Sequence, residues 1–317
     1  NMKTVAIIAL VGVAAAAFFA MSSGPAYGVE NQFQDFLSTH RVGYGTTEEY
    51  SYRLGVFASN LEKIEELNKA NPEATFAVNE FADRTPEEMQ SRMGLIVPSN
   101  VNTNAAYVAP RNGDNIDWSS NWSAVKNQGS CGSCWAFSAT AAFEARYALA
   151  HGTKSFDELF AEQELVDCDP QSNGCNGGWM DYAFEYLQNQ AFCHEDQYAY
   201  TARDGSCQVS KCSGGPSDKA YTDLPAKNED AVLKELVNGP VSVAVDASTW
   251  SFYSGGIMKS CGTGLNHGVT LVAANYDDES VTIRNSWGGS WGEKGHIRLA
   301  MGQDTCGYTQ VASYPTF

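Results

Sequence analysis

The chain has 317 residues, 43% hydrophobic and 12% aromatic, enough apolar material for a packed core in one or two domains. Its 20 basic residues against 37 acidic ones leave a net charge of −17, which argues against nucleic acid or an anionic membrane surface as a partner. Nine cysteines point to disulfides in an oxidising compartment, and the odd count leaves one thiol over.

Met2-Lys3 opens an apolar run from Val5 to Met21, followed by the small residues Ser22, Ser23, Gly24, Ala26 and Gly28. This order reads residues 1–28 as a signal peptide, cut after Ser22 or Gly28. A membrane anchor is the rival reading, and the run sits at the short end of what spans a bilayer. From 29 to 112 the sequence is polar, helical and free of cysteine. Tyr50, Leu54, Phe57, Leu61, Ile64 and Leu67 recur every three or four residues, one apolar stripe along a helix. Glu49 and Arg53 lie four apart, placed to pair on that helix. Ser99 to Asn115, rich in Asn, Ala, Pro and Gly, has the composition of an exposed linker.

Residues 113–317 hold every cysteine. A turn of small residues runs into a helix expected from Cys134 to His151, with Ser133 as its N-cap and Gly152 as its stop. Helical spacing recurs over 160–169, 178–190 and 228–238. Then come short β-branched runs at 241–245, 269–273, 281–284 and 295–299, read as strands. Helices followed by an antiparallel β region make an α+β fold.

Cys134 carries the chemistry. A thiol at a helix N-terminus meets the positive end of the dipole, which favours the nucleophilic thiolate. Cys131-Gly132-Ser133-Cys134-Trp135 resembles the signature around the nucleophile of papain and the lysosomal cathepsins, in which a histidine and an asparagine follow about 130–150 residues on. Here His267 in Leu265-Asn266-His267-Gly268-Val269 lies 133 positions downstream, and Asn285 in Arg284-Asn285-Ser286-Trp287-Gly288 lies 151. Three matches in order are specific where one would not be. A zinc knuckle or a thioredoxin-like redox pair at Cys131 and Cys134 lacks a second ligand pair and a βαβ context. His40, His151, His194 and His296 have no such partners and read as structural.

The resemblance is to papain-like cysteine proteases of the cathepsin L-like subfamily, and it implies a full-length precursor. Glu49, Arg53, Phe57, Asn60, Ile64 and Asn68 match the spaced pattern on the long helix of cathepsin L-like propeptides, and Ala77–Asp83 is similar to their second motif, with alanine where glycine is usual. Residues 29–112 would then be an inhibitory propeptide running back through the cleft, and 113–317 the peptidase, a helical lobe plus a β-barrel-like lobe. The maturation cut is expected between Ala105 and Asp114. Cys134 would be the nucleophile, His267 the proton shuttle and Asn285 its orienter. The Gln128 side chain and the Cys134 N–H would form the oxyanion hole, and Trp287 would cover the Asn285–His267 contact at the edge of the substrate cleft.

By the same resemblance, Gly177 and Gly178 bind substrate backbone, and the pocket for the residue two before the cut is lined by Trp179, Met180, Ala244, Leu265, Gly268 and Val311. With no carboxylate at its base, this pocket implies a preference for Leu, Phe or Val. The implied disulfides are Cys131–Cys175, Cys168–Cys207 and Cys261–Cys306. Cys193 and Cys212 have no counterpart in that scheme and are either a fourth bridge or two free thiols. Asn121-Trp122-Ser123 is a glycosylation sequon. The expected partners are protein or peptide substrates and the chain's own propeptide, with no cofactor, metal or nucleic acid. A monomer in the secretory pathway, lysosomal, vacuolar or extracellular and without stable membrane association after leader removal, completes the expectation. A precursor that is never matured, acting as a binding component or as an inhibitor of other proteases, is the alternative.

Overall fold

The computed structural model describes residues 25–103 and 105–317, with side chains from residue 28 onward. Residues 1–24 of the expected leader lie outside the described residues; the remainder opens helix α1, Pro25–His40. No helix among the described residues is long and apolar enough to cross a membrane. The chain divides into two compact units, the described part of Asn1–Ile64 with Val78–Arg84, and Glu65–Ala77 with Thr85–Phe317.

The first unit is built on α1 and most of α2, Thr47–Ala70. Thr46 Oγ1 accepts the Glu49 N–H, and Glu48 and Glu49 place negative charge at the positive end of the α2 dipole. Phe33 and Phe36 of α1 pack on Phe57 of α2 with ring centroids 5.2 and 5.4 Å apart. The spaced polar residues of α2 hold the Val78–Arg84 segment. Asn60 Nδ2 donates to the carbonyls of Ala82 and Arg84 at 2.9 and 2.8 Å, and Arg53 Nη1 donates to that of Asp83 at 2.9 Å. Those residues recur at helical spacing because each must face the same strip of backbone.

The second unit is an α+β body. Its nine-stranded sheet comprises β1 (Ala74–Phe76), β2 (Ile116–Asp117), β3 (Ala220–Asp223), β4 (Val241–Val245), β5 (Tyr253–Met258), β6 (His267–Asn275), β7 (Ser280–Arg284), β8 (His296–Ala300) and β9 (Ala312–Thr316). The strand order is β1-β5-β8-β7-β6-β4-β9-β3, with β2 on β6, antiparallel except where β5 meets β8. Valines at 241, 243 and 245 and the run 267–274 are buried, so β4 and β6 are its core.

The helices of this body are α3 (Pro86–Gln90), α4 (Cys134–Ala150), α5 (Glu162–Cys168), α6 (Met180–Leu187) and α7 (Glu229–Leu236). Helix α4 is buried on nearly all sides, as its small and apolar residues allow: Trp135, Ala136, Ala139 and Phe143 pack with Leu165, Phe184 and Phe192. It stops at Gly152, whose φ of +75° is the left-handed turn a side chain resists. Ser133 is not a side-chain cap; its Oγ meets the Tyr200 hydroxyl at 2.6 Å. Four disulfides staple the body: Cys131–Cys175, Cys168–Cys207, Cys193–Cys212 and Cys261–Cys306. Cys134 alone is unpaired, and it is buried.

Candidate active site

The site is assembled from the N-terminus of α4, the first residue of β6 and the residues following β7. Cys134 opens α4 after a turn fixed by the Cys131–Cys175 bridge and by Gly132 N donating to Cys175 O at 2.9 Å. Because Cys131 is spent in that bridge, Cys131 and Cys134 are neither a zinc pair nor a redox pair. His267 opens β6, and its Nε2 lies 2.8 Å from Asn285 Oδ1. Its Nδ1 and Asn285 Nδ2 are buried with no hydrogen-bond partner. Around the imidazole stand Trp287, ring centroid 5.1 Å away, and Trp250, edge-on at 6.2 Å, with Trp291 packed on both. Trp287 is fully buried in this enclosure and forms no open cleft wall.

Gln128 is positioned from both ends. Its Oε1 accepts from Ser286 Oγ at 2.7 Å, and its Nε2 donates to the carbonyls of Cys131 and Arg92, each at 2.8 Å. Tyr200 holds the adjacent backbone, its hydroxyl donating to Gln128 O at 2.7 Å. Ser286, Trp250 and Tyr200 escaped the sequence reading. Ser286 sits inside the Asn285 motif and could have been noticed; nothing in the sequence marks the other two.

A segment of the chain itself fills the site. Gly178 N–H donates to Gly94 O, and Ile96 N–H donates to Gly178 O, both at 2.9 Å, in a parallel bridge centred on Leu95 and Gly178. Leu95 N–H donates to Asn266 O at 3.2 Å. Gly177 faces the same segment, since a Cβ there would come within 2.8 Å of Gly94 O. The Leu95 side chain is buried in the cluster that contains Cys134, Trp179, Met180, Ala244 and Val311, with Leu265 packed against it. Gly268 leaves room for that cluster, because a Cβ there would stand 3.1 Å from Met180 Sδ.

Electrostatics follow burial. Enclosure pushes the Cys134 thiol up to about 11 against the backbone N–H groups around it, and pushes His267 down to about 4 against the Asn285 hydrogen bond. Burial therefore disfavours the charged form of both groups. The α4 dipole acts the other way, favouring the thiolate. Away from the cleft, Asn121 Nδ2, the atom a glycan would join, donates to Lys154 O at 2.6 Å.

The chain is similar to known proteins in sequence and fold. The papain family cysteine protease model matches residues 112–316, and the cathepsin propeptide inhibitor domain matches residues 33–89. Cathepsin L 2 of Paramecium tetraurelia is 41% identical over 295 residues, covering 90% of this chain and 92% of that protein. Cysteine protease XCP2 of Arabidopsis thaliana is 39% identical over 306 residues, covering 90% and 85%. The structure of digestive procathepsin L2 proteinase from Tenebrio molitor larval midgut superposes with a TM-score of 0.80 at 34% identity, over 91% of this chain and 100% of that one. The chain belongs to the papain family of cysteine proteases and carries the cathepsin propeptide inhibitor domain with its peptidase domain, as the precursor of a cysteine endopeptidase.

Proposed function

We propose that Cys134, His267 and Asn285 are the catalytic triad of this endopeptidase. His267 takes the thiol proton, and the Cys134 thiolate attacks the scissile carbonyl. The tetrahedral oxyanion is held by the Cys134 N–H and Gln128 Nε2. His267 returns the proton to the departing amine, leaving an acyl-enzyme thioester that water hydrolyses with the imidazole as base. Asn285 fixes the ring through Nε2, leaving Nδ1 for the thiol.

The observation that carries the reading is the fit of residues 92–96 to this machinery. The Arg92 carbonyl engages Gln128 Nε2, Gly94 and Ile96 pair with Gly178, and Leu95 fills the apolar pocket. Latency then has two causes: the donor and the cleft backbone are occupied, and burial disfavours the charged forms of the nucleophile and base. Maturation would remove both. The test is labelling with an epoxide inhibitor of papain-like enzymes before and after mildly acidic incubation, with Cys134→Ser as control. Label that appears only after acid, with a drop in mass, supports the zymogen. No label in folded protein with a reduced Cys134 would overturn the assignment and favour the binding or inhibitor role.

Leu95 also indicates what the pocket accepts. A leucine two before the cut should be cleaved with at least about 100-fold higher kcat/KM than arginine, because an unpaired charge would be desolvated there. Equal rates would remove the pocket assignment. The disulfides and the relatives favour the secretory pathway, with a lysosomal, vacuolar or extracellular end point, and the enzyme is read as a monomer.

A further inference from the structure

Residues 90–111 lie outside both matched domains. The composition of residues 99–115 suggests an exposed linker, and Tyr107 and Val108 indeed show 37% and 45% of their surface. Their anchorage says otherwise. Val108 N–H donates to Lys227 O at 2.8 Å, and Val108 O accepts from Glu229 N–H at 3.0 Å, one of the first-turn donors of α7 that its own helix cannot satisfy. The Tyr107 hydroxyl donates to the Glu229 carboxylate, which is fully buried and also takes the Tyr308 hydroxyl and Gly302 N–H. Arg111 follows, its backbone N–H on Asp230 Oδ1 at 3.2 Å and its guanidinium 3.7 Å from Oδ2.

The chain stays down from there. Gly113 lies against the Tyr276 ring, where a Cβ would come within 2.8 Å. Asn115 exchanges hydrogen bonds with Asp277 Oδ2 and Tyr276 N–H at 2.6 and 2.7 Å, and Ile116–Asp117 pair with β6. From residue 107 to 117 an anchor falls at every second or third residue.

We propose that Tyr107–Asp117 is a strap that stays on the mature enzyme, so that the maturation cut falls N-terminal to Tyr107. A protease must draw an extended stretch of chain into its cleft as an added strand. Within the strap that means breaking the Val108 pairing, and losing Tyr107 takes a hydrogen-bond donor from the buried Glu229 carboxylate. Leaving such a group short of a partner costs about 1–3 kcal/mol. The strap fastens the start of the peptidase to α7, and Tyr107 is a positioning residue in it. This places the cut upstream of the 105–114 window that composition suggested for all but its first two residues.

The inference rests on the reading that the precursor matures by proteolysis, and the experiment separates the two. Wild-type precursor would be acid-activated, and Cys134→Ala precursor would be cut by added papain; the N-terminus and intact mass of each product would be read. Products that begin at or before Tyr107 in both arms are expected. A product beginning at Val108 or later, or a Cys134→Ala precursor that papain leaves whole, would overturn the strap. If wild type fails to process itself while the papain arm gives the expected terminus, the protease reading falls and the strap stands. In Tyr107→Phe, which keeps the ring and loses the donor, termini between Val108 and Asn112 should appear; an unchanged terminus would remove the role given to the hydroxyl.

Discussion

Gln128 spends its side-chain amide completely. Ser286 fixes the oxygen, the Cys131 carbonyl takes one N–H, and the second N–H points at a carbonyl from residue 92, part of the segment that fills the site. Once that segment leaves, the freed N–H is a preorganised donor that needs no reorganisation to meet an oxyanion. Gln128→Ala in the mature enzyme should therefore lower kcat by about 10²–10³ with little change in KM. Steady-state kinetics on one peptide substrate decide it: a loss confined to KM would make Gln128 a ground-state contact. Because Ser286 and Cys131 hold the side chain within the body, the variant also needs a melting curve to show that the fold is intact. Cys134, His267, Asn285 and Gln128 could be singled out because their residue types and spacing fit one reaction. Tyr200 and Trp250 were not, since a tyrosine that props a backbone carbonyl and a tryptophan that edges an imidazole look like any other core aromatics.

At the scale of elements, the fold could be read wherever local pattern and final environment agree. Helix α4 and strands β4 and β7 came out within a residue or two, since a good helix-forming run closed by Gly152 and alternating β-branched residues are local signals that agree with the final environment. Strands β1, β3, β5 and β9 did not. β5 contains Gly255-Gly256, β9 contains Pro315, and β1 is only three residues long and pairs with β5 from far along the chain. Such strands exist because a partner is present, and no local signal announces a partner. The cleft segment is a similar case: nothing in Met93–Val97 predicts a strand, and only Gly178 makes it behave as one. This gives a prediction. Gly94 packs so tightly that a Cβ would lie 1.8 Å from the backbone oxygen of Gly132, which has no side chain to swing away. Gly94→Ala should expel the segment, so the precursor would take up the epoxide label at neutral pH without acid treatment. A Gly94→Ala precursor as latent as wild type would show that inhibition rests on other contacts.

At the scale of the whole molecule, the buried acids set how stability depends on pH. Burial raises Glu162, Glu164 and Asp181 each to about 7, the last helped by the charge of Asp223, and raises Asp218 to about 8. Glu162 stays that high although Lys126 lies 2.8 Å away, because burial outweighs that attraction and the nearby Glu144 charge adds to the rise. In the unfolded chain these carboxyls ionise near pH 4. A group held above its unfolded value contributes stability that is complete below pH 4 and is lost as the pH rises through the folded value. His267, held down to about 4, has the opposite effect, but its window lies below its unfolded value of about 6.5 and is silent above that. Cys134, at about 11, acts only above its unfolded value of about 8.5. Between pH 6.5 and 8 the four carboxyls therefore act unopposed, each worth about 1 kcal/mol across the interval. The Cys134→Ala precursor, which cannot digest itself, should melt several degrees higher at pH 6.5 than at pH 8. Asp218 is the clearest contributor, as both its oxygens are buried without a hydrogen-bond partner. Asp218→Asn in the same background should raise the pH 8 melting temperature and shrink the difference between the two pH values. A melting temperature that is flat from pH 6.5 to 8 would mean these carboxyls ionise in place, and burial would then not be what governs them.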